Sequence, residues 1–203
     1  MKKIAIFASG EGSNFQTIYS HVQKGDIQGD IVLVVSNNSQ CGAVIFASRK
    51  GLENLIVNDT LYPNPGTKDK LLLQALIKAE VELICLAGYM KLLPKSIVKE
   101  YKDRILNIHP ALLPQFGGKG FYGIKVHKAV IAAGAEETGV TVHLVDEEYD
   151  HGKIIAQEKI KVRPGDTAEA LAERVLKVEH NLYPRVIKAF CKDGVVWGNN
   201  QQK

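Results

Sequence analysis

Ile4-Ala5-Ile6-Phe7-Ala8-Ser9-Gly10-Glu11-Gly12-Ser13-Asn14-Phe15 opens the chain with an apolar run, a glycine turn and the start of a helix. Ile4 to Ser9 carries no charge and does not alternate, which is how a strand buried on both faces of a parallel sheet reads. Past the turn, Phe15, Ile18, Tyr19 and Val22 recur at helical spacing. A buried strand passing through a tight loop into an amphipathic helix is half of a βαβ unit, so repetition of that unit is expected downstream.

The chain repeats it. Ile31 to Val35 is a second apolar run ending in Ser36-Asn37-Asn38, with helical signals from Gly42 to about Lys50 and a short strand at Leu55 to Val57. A helix with Thr67 as its N-cap is expected through Leu72, Leu76 and Ala79. Leu83 to Ala87 and Ile105 to Ile108 are the fourth and fifth buried runs. Beyond them the pattern changes. Val140 to Val145 and Ile154 to Val162 read as strands, the second alternating, joined by the polar loop Asp146-Glu147-Glu148-Tyr149-Asp150-His151-Gly152. A long amphipathic helix starts near Asp166-Thr167 with a stripe of Leu171, Val175, Val178, Leu182, Val186 and Ala189. Pro184 is a place for a kink and Gly194 a stop. The expected fold is α/β: a Rossmann-like parallel sheet with helices on both faces, its C-terminal part adding an antiparallel strand and a long helix. One domain, 1–203, is expected, in two halves of about 1–100 and about 101–198. Asn199 to Lys203 reads as a frayed polar tail.

Composition narrows the class of protein. With 45% apolar and 24% charged residues, the 203-residue chain reads as globular and able to bury a core. No run approaches the roughly 20 apolar residues of a membrane span, and Met1-Lys2-Lys3 leads into a strand rather than a signal peptide. Cys41, Cys85 and Cys191 are widely spaced, which fits a reducing cytoplasm and opposes a thiolate metal site; Cys85 sits in an apolar run and reads as core. The net charge of +4 is scattered, so nucleic-acid binding is not expected.

Two constellations carry chemistry. Gly10-Glu11-Gly12-Ser13-Asn14 lies where backbone amides at a helix start meet an anion, with Ser13 and Asn14 adding donors. Phe15 stands where a dinucleotide fingerprint needs its third glycine, no acidic residue ends the second strand, and no Gly-Lys-Ser/Thr follows. A monophosphate site is the favoured reading; a tight turn with a Ser/Asn helix cap is the alternative. Asn107-Ile108-His109-Pro110 ends a central strand, where doubly wound folds place their sites, and alternation puts Asn107 and His109 on one face. An amide donor beside an imidazole suits attack on a carbonyl, with Asp150 the natural anionic partner for the imidazolium. Taken alone, the pair is also compatible with a structural histidine. His21, His109, His127, His143, His151 and His180 show no metal-ligand spacing, and there is no Gly-x-Ser-x-Gly elbow.

Together with Leu86-Ala87-Gly88-Tyr89-Met90 and Asn107-Ile108-His109-Pro110-Ala111-Leu112-Leu113-Pro114, these stretches resemble the folate-dependent phosphoribosylglycinamide formyltransferase family. They occur in the order found there, and the resemblance runs from Lys3 to about Gly194. The Asn-x-His-Pro-x-Leu-Leu-Pro segment is common to folate-dependent formyltransferases, while the early Gly-Ser-Asn loop points to the glycinamide ribonucleotide branch.

The resemblance implies transfer of a formyl group from 10-formyltetrahydrofolate, a cosubstrate with no tightly bound cofactor, to the amine of glycinamide ribonucleotide in purine biosynthesis. It implies that Gly12, Ser13 and Asn14 hold the phosphate, Glu179 the ribose hydroxyls, and Asn107 the oxyanion, with His109 as general acid. Asp150 would raise the His109 pKa and pass on the amine's proton through water. Met90, Lys91, Leu92 and Leu93, with Asn107 and Asp146, Glu147, Glu148, Tyr149 and Asp150, would line the folate. Pro65 or Gly66 stands where the family can carry an arginine for the folate tail, so Lys68 or Lys70 is expected to substitute. Leu176 takes a place where a polar contact is possible, and Glu179 has an exposed helix charge as its alternative reading. Gln115 to Val126, with Gly117, Gly118, Gly120 and Gly123, reads as a lid. A cytoplasmic enzyme with small-molecule substrates, without nucleic acid or membrane partners, as monomer or homodimer, is expected. The competing readings are a methionyl-tRNA formyltransferase, a formyltetrahydrofolate hydrolase, each expected to carry a further domain, and a non-catalytic phosphoribosyl-binding module.

Overall fold

A computed structural model describes residues 1–194; the expected tail, Asn199 to Lys203, lies outside the described residues. The strands are β1 (Lys2–Phe7), β2 (Gly29–Ser36), β3 (Asn54–Ile56), β4 (Leu83–Leu86), β5 (Ile105–His109), β6 (Glu137–Leu144) and β7 (Ile154–Lys161). They form a mixed sheet of order β3-β2-β1-β4-β5-β6-β7. The helices are α1 (Ser13–Gln23), α2 (Gly42–Arg49), α3 (Pro65–Lys78), α4 (Lys95–Glu100), α5 (Ile124–Ala132) and α6 (Ala168–Asp193). The chain divides into two compact units after Leu106, inside β5.

In the first unit β1 pairs in parallel with β2 and with β4, and β2 with β3. Sequence order therefore reverses beside β1. Right-handed crossovers then send α1 and α2 to one face and α3 and α4 to the other; accordingly α1 packs on α2, and α3 on α4. Ile4, Ile6, Phe7, Leu33, Leu83 and Ile84 are fully buried in the strands, under Phe15, Ile18, Leu72 and Leu76 from the helices. Each such side chain contributes about 1.5–3 kcal/mol on burial. The reversal leaves a crevice-forming switch point at the carboxyl ends of β1 and β4. There Ser9 donates its amide to the Gly88 carbonyl at 3.1 Å, and the Met90 amide donates to Ser9 Oγ at 3.0 Å.

In the second unit β6 and β7 form an antiparallel pair, with α6 packed on both strands and on α5. The α6 stripe buries Leu171, Val175, Leu182, Tyr183 and Ile187; Thr167 caps its start and Gly194 ends it in the left-handed conformation. The helix runs through Pro184 without interruption, with the proline buried.

Three local readings need correction. Thr67 is not the N-cap of α3: Asn64 is, accepting the Thr67 amide at 3.1 Å, with Pro65 in the first turn. Proline tolerates that position because the missing N–H is one the helix leaves unbonded anyway. Two helices were also not anticipated. α4 has six residues, too few to show a period. α5 starts at Ile124, inside the stretch read as a loop lid, because the glycines before it mask its apolar spacing.

Candidate active site

β5 delivers Asn107 and His109 to one side of its strand, and Asp150 comes to both of them from the loop between β6 and β7. His109 is 4% exposed. Its Nδ1 stands 3.5 Å from Asp150 Oδ2, and Asp150 Oδ1 accepts from Asn107 Nδ2 at 3.3 Å. Asp150 reaches this position with φ +54°, a left-handed conformation that Asp tolerates better than most residues. The Gly118 amide donates to Asp150 Oδ2 at 2.9 Å.

A fourth residue completes the cluster, and the sequence reading had passed it over. His143, buried on β6, places Nε2 3.0 Å from Asn107 Nδ2 and 3.6 Å from Asp150 Oδ1, while its Nδ1 lies 2.7 Å from the Leu144 carbonyl. A carbonyl only accepts, so His143 Nδ1 donates to Leu144; the Asp150 carboxylate likewise only accepts, so the Asn107 atom facing it is the donor Nδ2. That fixes the amide with its NH2 toward the cluster. The signal was available: His143 is two residues from Thr141 on an apolar strand, so alternation puts both on one face.

His109 is oriented in the same way. Its Nε2 donates to the Phe116 carbonyl at 2.8 Å, which leaves Nδ1 as the ring atom whose proton is not committed to backbone. Burial lowers the His109 pKa below its ordinary value; the Asp150 charge and the Phe116 carbonyl oppose that shift without cancelling it, and His143 adds to it. The expected raising effect of Asp150 is therefore real but smaller than desolvation. For Asp150, burial pushes the pKa up, yet the bond with His143, the His109 charge and the Gly118 amide together hold it below the usual carboxylate range. An anion beside a desolvated imidazole can hold a proton on Nδ1 ready for a leaving nitrogen, and the Asn107 amide can turn a hydrogen toward developing negative charge.

The glycine loop precedes α1 without a side-chain cap: Gly12 is the N-cap, at φ +76°, and neither Ser13 nor Asn14 caps the helix. Glycine is required twice over, since a Cβ at residue 12 would come 2.8 Å from Ala43 Cβ. Ser13 is partly exposed in the first turn, whereas Asn14 is buried. Met90 and Leu92 are exposed apolar side chains (46% and 45%), Lys91 is exposed, and Leu93 is buried. In the other loop Asp146 accepts from the Glu148 amide and pairs with His151, while Glu147, Glu148 and Tyr149 face solvent. Glu179 is buried at 8% exposure, which removes the reading as an exposed helix charge. Lys68 is engaged with Asp59 at 2.5 Å, and Lys70 is exposed. Gln115 to Gly118 is tied to the cluster through Phe116 and Gly118. Among the described residues no group of three or more His, Cys, Asp or Glu side chains is arranged to hold a metal ion, and no helix is long and apolar enough to cross a membrane.

Comparison with known proteins places these features in a family context. A family model described as formyl transferase matches residues 2–187. A chloroplastic phosphoribosylglycinamide formyltransferase of Vigna unguiculata is 46% identical over 97% of this chain, and the chain spans 63% of that relative's length. The phosphoribosylglycinamide formyltransferase of Bacillus subtilis (strain 168) is 38% identical, over 93% of this chain and 94% of that protein. The crystal structure of phosphoribosylglycinamide formyltransferase from Bacillus halodurans superposes with a TM-score of 0.88 at 32% identity, covering 96% of this chain and 97% of that one.

Proposed function

The chain belongs to the formyl transferase family, and from that premise we propose that it moves the formyl group of 10-formyltetrahydrofolate onto the amine of glycinamide ribonucleotide. The observation that carries the reading is the convergence of Asn107, His109 and Asp150, with His143 behind them, within hydrogen-bond or ion-pair reach at the end of β5. The substrate amine attacks the formyl carbon, and its carbonyl oxygen becomes an oxyanion that the Asn107 amide receives. That requires one Asn107 hydrogen to leave a partner, and the 3.3 Å contact to Asp150 is the longer of its two. The bond from the formyl carbon to N10 of the folate then breaks as N10 takes a proton from His109 Nδ1. The amine nitrogen gives up one proton, routed through water to Asp150, so charge and protons balance.

Gly12, Ser13 and Asn14 serve the phosphate, for the amides of an uncapped first helical turn have hydrogens to donate to an anion. Of their side chains, Ser13 is partly exposed and Asn14 is buried. Glu179 serves the ribose hydroxyls, the use of a buried carboxylate that acts as a pure acceptor. Met90, Lys91, Leu92 and Leu93, and Asp146 to Asp150, serve the folate; exposed Met90, Leu92 and Tyr149 supply apolar surface suited to a flat ring. Lys68 or Lys70 meets the folate tail; Lys68 is ion-paired with Asp59, and Lys70 is exposed.

A spectrophotometric assay of tetrahydrofolate release, run with and without glycinamide ribonucleotide, tests the proposal. Release that requires the amine supports transfer. Release without it, with formate as product, means hydrolysis, and no release in either case leaves a binding module.

A further inference from the structure

Thr141 and Gln157 face one another across β6 and β7, and neither has been given a role above. Thr141 is fully buried, and its hydroxyl donates to the Ala111 carbonyl at 2.6 Å while accepting the Leu113 amide at 3.0 Å. Gln157, exposed on the edge strand, turns its Nε2 inward to the Leu113 carbonyl at 3.0 Å and to Thr141 Oγ at 2.9 Å. Three hydrogen bonds thus converge on the stretch just after His109-Pro110, and a fourth ties Gln157 to Thr141. Leu112 packs so closely on β6 that a Cβ at Gly139 would meet its Cδ2 at 2.7 Å. The other end of the same stretch holds the cluster: the Phe116 carbonyl accepts from His109 Nε2, and the Gly118 amide donates to Asp150 Oδ2. Between them Gly117 lies against both Leu113 and Asp150.

We propose that Thr141 and Gln157 are positioning residues, which anchor the Ala111–Gly118 strap so that its Phe116 carbonyl and Gly118 amide hold the His109 ring and the Asp150 carboxylate in register. The proposal rests on reading His109 and Asp150 as the reacting pair. A strap anchored at one end by a buried hydroxyl and a surface amide transmits their loss to the other end, because Phe116 stands at φ +55°, a conformation a non-glycine residue keeps only while its surroundings enforce it.

The test uses the full chain as wild type and as Gln157→Met, Thr141→Val and Thr141→Ser. The His109 ring is titrated by NMR without substrate, with exposed His151 as internal control, and kcat and both KM values are measured. The charged or titrating groups that act with His109 are Asp150, His143 and His127. None is altered, so a movement of its titration reports the strap. Gln157→Met and Thr141→Val are expected to move the His109 titration to lower pH, since a displaced Phe116 carbonyl no longer favours the charged ring, and to lower kcat by about 10- to 100-fold with KM values near wild type. Thr141→Ser keeps the hydroxyl and is expected to restore both. If Thr141→Val does not fold, Gln157→Met decides alone, since it alters an exposed side chain. A His109 titration in Gln157→Met that superimposes on wild type overturns the proposal. A shifted titration in a protein whose wild type transfers no formyl group upholds the strap and sinks the assigned reaction instead.

Discussion

Asp150 Oδ2 stands 3.5 Å from His109 Nδ1, and the histidine nonetheless has a pKa below its ordinary value, because burial of the ring outweighs the attraction of the carboxylate. The relationship sets how the site would work. A depressed pKa makes the imidazolium a stronger acid but a scarcer one near neutral pH, and Asp150 limits that scarcity.

Asp150→Asn keeps the side-chain shape, and asparagine tolerates the left-handed backbone at this position. It removes the charge that favours protonated His109. Turnover is expected to fall by about 100-fold or more. The alkaline limb of the kcat–pH profile is expected to move to lower pH, because the acid loses its proton earlier. The neighbouring His151 is the control: it pairs with Asp146 in the open, where ion pairs contribute little, so His151→Gly should keep turnover within a few-fold. A D150N enzyme with wild-type turnover and an unmoved limb removes Asp150 from the mechanism.

His109→Ala is expected to lower kcat by about 100-fold or more while substrate KM values change little, since the ring acts on charge that develops after binding. Steady-state kinetics with both substrates decides it. Near-normal turnover would make His109 structural.

Ser13→Ala is expected to raise KM for the ribonucleotide and leave KM for the folate nearly unchanged. A hydrogen bond to a charged oxygen corresponds to roughly 1.5–3 kcal/mol, or about 10- to 100-fold. Movement of the folate KM alone would reassign the glycine loop to the cosubstrate.

His127, on α5, is 4% exposed, and its Nδ1 has no hydrogen-bond partner. Burial, with a smaller effect of His109, lowers its pKa from 6.5 to about 4. Across that window the unfolded chain takes up a proton that the folded chain refuses, so stability declines as pH falls from 6.5 and levels off below about 4. His127→Gln abolishes the titration. Urea denaturation at about pH 7 and about pH 4.5 should show a smaller loss of midpoint in the variant than in wild type. Equal losses would mean that His127 is charged in the folded protein or exposed enough not to matter.

The βαβ order was legible because buried parallel strands announce themselves as short uncharged runs, and helices between them by spacing alone. Asn107 and His109 were legible as a pair for an equally local reason: a strand repeats every second residue, so i and i+2 share a face. The glycine turn before α1 was legible, yet its cap was not, because whether Gly12, Ser13 or Asn14 ends the turn depends on how tightly Ala43 packs against it. The starts of α3 and α5 were misread where asparagine, proline and glycine leave several local conformations open.

Asp150 was expected as the partner of His109, but the contacts that join it and His143 to the pair needed the tertiary structure. His143 and Asp150 lie 36 and 43 residues from Asn107, and no local preference specifies contacts at that range. They meet because the β6–β7 turn brings its loop back over β5, with Gly152 so close to the Leu144 carbonyl that a Cβ there would lie 1.9 Å from it. Burial of Glu179 likewise follows from where α6 lies on its sheet, and the lowered pKa of His109 from how completely packing removes water from the ring. Sequence determined which groups are present and which face of a strand carries them. Long-range packing decided which of them share a proton, because desolvation and charge proximity are properties of the assembled surroundings and not of the residue.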